Sequence, residues 1–551
     1  MAVIPVVWLH YDAGSPCRGY WDQALIDDLL TNRMWRTGYE FEHHEWVGGF
    51  EHGVVEGAVV VLPARAQGGY IDQINADLAS LKWVLLILTG DEASVFPVEQ
   101  VRHSNIYIWV MSPRPGRHSR YSPIGTGYPP QQHQLLPKVA PEKTLDWFFA
   151  GQVTNDRREL CGEQLKNLSG GQYHPSPGFT LGLSPEDYMR GLASAKVAPC
   201  PSGPCTPDTF RLFEALEAGC VPIADTRTSA GDFPDHYWTY FFGQTPPFPT
   251  LTDYGDLHAQ IGSAVAQYPA LNNKIFAWWQ RCKYEMAMGF AKQIAKLTGH
   301  DRDVGDVTVI MSSSPIASHP STAMIEETIR TVRHHLPDSE IFIMLDGVRP
   351  ELQERKADYE EYQRQLLWLC NYRWDNVLPL RHEGFLHQSG MTPGVLDIVK
   401  TPMILFVEHD TPLTDDFPIE WDGCFRAIRS GAANVIRFHH ESFVLEEHKE
   451  FMFGEVEEVE GVKLWRTQQW SQRPHLASAA FYREMLARLF RVGSRAFIEH
   501  GVYGELAVLC DVEGMAGWEK YKLWMYHPDG IILRSRNLDG RGGSLNFESI
   551  F

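Results

Sequence analysis

A chain of 551 residues is too long for one ordinary domain and points to about three or four. Its formal charge of −20, from 69 acidic against 49 basic residues, disfavours nonspecific binding to nucleic acid or to an anionic membrane. Nine cysteines scattered without Cys-x-x-Cys pairs read as reduced and intracellular, and Cys200 and Cys205 lack the partner pair a zinc site needs.

Met1 to Asp12 has no basic region and meets His10 and Asp12 at once, unlike a signal peptide. The longest apolar run, Trp83 to Leu88, is far short of a membrane span. The expectation is a soluble, cytoplasmic protein without stable membrane insertion.

Over residues 1–140 strands and helices alternate. Val6–Leu9, Ala58–Leu62, Trp83–Leu88 and Ile106–Val110 read as strands, and Trp21–Asn32 and Ile74–Leu81 as helices. This order predicts a Rossmann-like parallel sheet. No Gly-x-Gly-x-x-Gly follows the first strand, so a dinucleotide cofactor is not indicated. Glu42-His43-His44-Glu45 is contiguous; in a strand its neighbours point to opposite faces, so it reads as surface rather than as a metal cluster. Pro113–Pro141, rich in Pro, Gly, Ser and His, reads as a linker.

Residues 141–300 form a second predicted lobe. Asp146–Gly151 is a strand running into a loop, with Arg157 and Arg158 opening the next helix. Ser184-Pro-Glu-Asp begins a capped helix, Ala195–Pro199 is a strand, and Asn272–Leu297 is one long helix. Between them lies Asp208-Thr-Phe-Arg-Leu-Phe-Glu-Ala-Leu-Glu-Ala-Gly-Cys-Val-Pro-Ile223. It reads as a helix, a glycine stop at Gly219 and a buried strand. Arg211 and Glu214, three residues apart, share a helix face at a helix–strand junction. An isolated surface pair would have the same spacing.

This segment resembles the Arg-x-x-Glu-Ala-Leu-x-Ala-Gly-Cys-Val-Pro stretch of exostosin-like glycosyltransferases of the GT-B fold, which also place an Arg after a Phe-x-Gly strand. The resemblance implies that Arg157, Arg158 and Arg211 hold the diphosphate of a nucleotide sugar and Glu214 its ribose, without a metal.

A new α/β unit starts near residue 304. Val307–Met311, Ile341–Leu345 and Met403–Val407 read as strands, and Ile325, Ile329, Val332 and Leu336 repeat at helical spacing. The last strand runs out into Glu408-His409-Asp410. Two carboxylates there can hold a divalent metal, although an exposed acidic pair would look the same. The layout resembles a GT-A glycosyltransferase domain of the large inverting family. The resemblance implies that the first strand and its loop, with Ser312, and Asp346 contact the nucleoside. It implies that Glu408 and Asp410 bind Mn²⁺ or Mg²⁺, that His527 adds a third ligand, and that Glu499 is the general base, with Asp410 also at the reaction centre. His527 reads equally as an ordinary histidine before a turn proline.

Trp465–His475 and the pair His439-His440 fall between these motifs, either as an acceptor region or as aromatic core. Lys463, Arg466 and Arg473 make at most a modest basic patch.

The expected fold class is α/β: a GT-B-type pair of Rossmann-like lobes (1–140 on the acceptor side, 141–300 for the nucleotide sugar) followed by a GT-A-type domain (304–551). The expected activity is a two-module glycosyltransferase moving sugars from UDP- or GDP-sugar donors to a hydroxyl of a glycan or lipid-linked saccharide. The alternatives are a viral-type enzyme glycosylating hydroxymethylated bases of DNA, and a chain in which one module only binds the acceptor.

Overall fold

The computed structural model describes residues 3–11, 22–30, 35, 37–49, 56–178, 181–234, 236–301 and 303–538. The Gly-rich tail beyond Leu538 lies outside them. The fold is α/β, in two compact units: Met1–Asp303 with Leu367–Asp375, and Val304–Leu366 with Asn376–Phe551.

The first unit holds two parallel sheets. β1 (Val3–His10), β2 (Glu40–Val47), β3 (Gly57–Pro63), β4 (Trp83–Thr89), β5 (Ile106–Met111) and β6 (Ser122–Ile124) lie in the order β2-β1-β3-β4-β5-β6. Every pairing is parallel. β3 and β4 are continuous apolar runs buried along nearly their whole length, as strands covered on both faces must be. β2 is an edge strand of alternating burial. It carries Glu42–Glu45, and His43 Nδ1 accepts a 3.0 Å hydrogen bond from the Trp8 indole. The predicted linker differs from expectation: Ser122-Pro123-Ile124 adds the sixth strand. Pro123 has no N–H to donate, which an edge position tolerates.

β7 (Leu145–Gln152), β8 (Gly171–Ser176), β9 (Ala195–Cys200) and β10 (Val221–Asp225) form the second sheet. A hairpin of β11 (Arg227–Thr228) and β12 (Gly231–Asp232) stands apart, and β13 (Thr250–Leu251) completes the order β13-β10-β9-β7-β8, again all parallel. β7 thus has β8 on one side and β9 on the other, so the strand order reverses between β7 and β9. A 29-residue helix, Ala270–Thr298, closes the unit, two residues longer at its start and one at its end than the predicted Asn272–Leu297. It packs on β5, where Phe290 stacks at 4.0 Å on Trp109 and Gln293 accepts from that indole at 2.7 Å.

The second unit is built on one nine-stranded sheet: β14 (Val307–Ser313), β15 (Glu340–Leu345), β16 (Val377–Arg381), β17 (Met403–Glu408), β18 (Val435–Arg437), β19 (Met452–Val459), β20 (Val462–Thr467), β21 (His475–Ser478) and β22 (Leu523–Tyr526). The order is β16-β15-β14-β17-β21-β18-β22-β20-β19. The first four are parallel, with a reversal of order between β14 and β17. β21 is antiparallel to both its neighbours, and β22 runs parallel to β18. β19 and β20 form a hairpin through Glu460-Gly461, whose φ values of 55° and 80° are those of a primed two-residue turn.

Eight cysteines among the described residues are free thiols, seven of them buried. No helix among the described residues is long and apolar enough to cross a membrane.

Candidate functional sites

In an open parallel sheet the ligand crevice lies at the carboxyl ends of the strands where their order reverses. In the second sheet these are the ends of β7 and β9. The last residue but one of β7 is Gly151, whose φ of 142° only glycine adopts easily, and a Cβ there would overlap the Arg211 guanidinium. Arg211 Nη2 therefore reaches across the strand end to donate to the Ala150 carbonyl, and its guanidinium lies over the Phe149 ring at 4.4 Å. The helix Asp156–Leu165 starts just beyond, capped by Asn155, whose side chain accepts from Arg158 N at 3.0 Å.

Arg158 folds back over the end of β9. Its Nε donates to Ser202 O and its Nη1 to Gln152 O, both at 3.3 Å. Burial and the neighbouring Arg211 charge push its guanidinium down to about 10, with Glu92 pulling the other way. Neither Arg158 nor Arg211 forms an ion pair with a carboxylate among the described residues. Arg211 Nε, Ser202 Oγ and Thr209 Oγ1 are buried there without hydrogen-bond partners. Two adjacent cations, orphaned polar atoms and a helix N-terminus make a site for a multivalent anion.

Arg157 faces elsewhere. Its Nε meets Asp225 Oδ2 at 2.9 Å and its Nη2 meets Asp225 Oδ1 at 2.6 Å, while Nη2 also reaches Thr252 O. Tyr254 adds a hydroxyl to Asp225 Oδ2 at 2.9 Å and a ring 4.6 Å from the guanidinium. Arg157 is engaged by the protein itself, and Arg158 occupies the position beside Arg211. Glu214 is buried, and the Tyr188 hydroxyl donates to its Oε2; burial and the Glu214 charge push that phenol well up.

A separate buried cluster ties the first unit together. Asp28, His133 and Glu217 present ligand atoms within 4.8 Å of one another. Lys283 Nζ already lies 2.8 and 3.0 Å from the two Glu217 oxygens, and Asn371 Nδ2 donates to one of them at 2.8 Å. Burial alone would raise the Glu217 carboxyl; Lys283 and His133 outweigh it and hold the group well below the usual carboxylate range. A divalent ion there would compete with an ammonium for the same oxygens, so the donor set suits the lysine better.

In the second unit the reversal lies between β14 and β17, where Ser312 and Glu408 are direct register partners. Both His409 N and Nδ1 contact Ser312 O, at 3.0 and 3.1 Å. Ser312 and Glu408 are therefore brought together, with Asp410 in the turn just beyond. Gln388 donates to Glu408 Oε1 at 2.8 Å. Asp410 is buried, and its carboxylate has no hydrogen bond or ion pair among the described residues. Two oxygen donors of this kind fit a hard divalent ion that completes its shell with water or phosphate.

Asp346 follows β15 directly but is spoken for. Its Oδ1 accepts from Gly347 N and Leu386 N, both at 2.8 Å, and its Oδ2 from His387 N at 3.0 Å. It pins the start of the helix His387–Ile398, where His387 is held at φ 58°. Burial pushes its carboxyl up, against those three amides. His527 follows β22, three strand spacings from β17, about 14 Å across the sheet, and its ring meets Trp465 edge-on at 5.4 Å. The fold does not bring it to Glu408 and Asp410. Glu499 opens the helix Ile498–Glu513, half-buried, and its charge acts on the buried Arg437.

Sequence reasoning missed Asp225, the Glu217–Lys283 pair, Gln388 and Arg437. Asp225 closes the strand Val221–Asp225, and an acid ending a buried strand was the available signal.

No family model matches the chain and no curated protein matches it. Among solved structures, TarS 1-349 of S. aureus is 12% identical, with 43% of this chain and 62% of that one covered and a TM-score of 0.26. The same fragment in complex with UDP-GlcNAc gives 9% identity, 42% and 58% coverage and a TM-score of 0.26. A 4-diphosphocytidyl-2C-methyl-D-erythritol synthase from Anaerococcus prevotii gives 11% identity, 42% and 91% coverage and a TM-score of 0.24. The chain spans about three-fifths of the length of the first of these. TM-scores this low do not establish a common fold.

Proposed function

We propose that the chain is a glycosyltransferase using UDP- or GDP-sugar donors, with one donor site in each unit. What carries this is the Arg158–Arg211 pair at the reversal between β7 and β9: two cations without carboxylate partners, where an α/β sheet binds its ligand. These two would hold the diphosphate in the first unit, with Glu214 and Tyr188 beside the ribose and Arg157 supporting the loop through Asp225.

In the second unit Glu408 and Asp410 would hold Mn²⁺ or Mg²⁺, which when bound supplies positive charge against the departing nucleoside diphosphate. Ser312 lines the same crevice, and Glu499 would take the proton from the attacking hydroxyl. Asp346 acts by holding the 384–387 turn in place. The acceptor is a hydroxyl of a glycan or lipid-linked saccharide.

The same engagement of Asp346 favours a second reading, in which the second unit binds the acceptor and the first alone transfers. Thermal shift and slow donor hydrolysis against a panel of nucleotide sugars, with and without Mn²⁺, separate the two. A donor that stabilises the chain and is hydrolysed supports transfer, and metal dependence assigns it to the second unit. No response to any nucleotide sugar would rule transfer out.

A further inference from the structure

Among the candidates outside the donor crevices, the strongest lies in the second unit beyond β18. Arg437 ends that strand 4% exposed, in a chain of strongly negative charge. Its Nη2 donates to Gln469 Oε1 at 2.9 Å and contacts Met525 Sδ, while its Nε has no partner among the described residues. No carboxylate among the described residues lies within ion-pair distance of it. His439, 3% exposed, bonds the Phe443 backbone and leaves Nε2 without a partner among the described residues; the adjoining His440 has Nε2 3.7 Å from Glu441 Oε1 and leaves Nδ1 so. The two rings are 5.2 Å apart. Arg473 precedes β21, and its charge acts on both Arg437 and His440. A buried guanidinium without an ion pair is costly, and unpartnered buried polar atoms beside it add to that cost. A bound oxyanion offsets both, by accepting from the arginine fork and by favouring the protonated form of the imidazoles, whose free nitrogens then donate.

Position says which substrate carries the oxyanion. Arg437 shares its register level with His475, and His475 with Phe406 of β17, so Arg437 lies two strand spacings, about 10 Å, from the strand bearing Glu408. The charge that acts on it is instead that of Glu499, the group that would face the attacking hydroxyl.

We propose that Arg437, His439, His440 and Arg473 form a subsite for a phosphate group carried by the acceptor, so that the second unit acts on a phosphorylated or phosphate-linked acceptor. This rests on the assignment of the second unit to the acceptor, with or without transfer.

The test is calorimetric titration of the full-length Arg211→Ala chain with inorganic phosphate at low ionic strength, that substitution weakening the first unit's cation pair. One saturable phosphate per chain is expected. Arg473→Gln and His440→Ala, at half-buried positions where folding is checked by the thermal midpoint, should each weaken it about tenfold or more. Excess UDP or GDP with Mn²⁺ should leave it in place. Absence of binding, equal binding in the variants, or displacement by the nucleoside diphosphate would overturn the proposal, the last by placing the phosphate on the donor side. Phosphate binding that persists while no nucleotide sugar has any effect would rule out transfer and leave the subsite standing.

Discussion

Arg157 and Asp225 are joined by two parallel hydrogen bonds, at 2.9 and 2.6 Å, across 68 positions of sequence. The pair fixes the start of the helix Asp156–Leu165 to the end of β10. Arg157→Ala leaves Asp225, 1% exposed, short of its counter-charge. The expected loss is about 3 kcal/mol in the unfolding of the first unit, read as a lower denaturation midpoint. Unchanged stability with abolished donor binding would instead make Arg157 a ligand contact.

Arg211→Ala should behave in the opposite way. Among the described residues its side chain is hydrogen-bonded only to the Ala150 carbonyl, so the fold should tolerate its loss. Donor affinity in the first unit should fall about tenfold to a hundredfold, the value of one charge-assisted contact to a phosphate. Titration with the donor that gives the largest thermal shift measures this directly, and metal-dependent turnover should be spared.

Asp410→Ala should reduce metal-dependent turnover about a hundredfold or more, with metal-independent donor binding retained. His527→Ala should leave the metal requirement unaltered, since β22 holds it three strands away. Activity against Mn²⁺ concentration in both variants decides the matter.

The Glu217–Lys283 pair makes stability depend on pH. The folded carboxyl is held below its unfolded value, so the folded state binds fewer protons than the unfolded one below that value. Its contribution is present in full above an unfolded pKa of about 4.3 and is lost as pH falls through the folded value. The first unit's urea midpoint should fall on acidification below about pH 4.5, and Lys283→Met should flatten that dependence while costing about 3–5 kcal/mol at neutral pH. A pH profile identical in wild type and variant would show that other carboxylates govern acid stability.

The strands that carry the sites were legible because parallel strands buried on both faces are unbroken apolar runs. Trp83–Thr89 and Met403–Glu408 announce themselves in this way, and each must end in polar residues at the crevice. Glu408-His409-Asp410 could therefore be placed before any coordinate. What could not be read was partnership over distance. Nothing near Arg157 in sequence marks Asp225, and nothing near Asp346 says that the amides of residues 386 and 387 fold back onto it. Arg158 and Arg157 are adjacent in the chain, yet a helix turns neighbours about 100° apart, so one lines the crevice and the other braces the loop.

Glu217 is held not only by Lys283 but by Asn371, and Tyr372 donates to its carbonyl. Those two residues belong to a nine-residue stretch that counts with the first unit while the chain on either side counts with the second. The polypeptide passes between the units three times, so no single cut separates them. A fragment ending at Asp303 would keep a buried carboxylate but lose the amide that serves it, and one beginning at Val304 would carry Leu367, Trp368 and Tyr372 without their cover. Dissecting the two proposed donor sites by truncation would thus create two defective pieces, and point substitutions in the intact chain are the sounder way to test them.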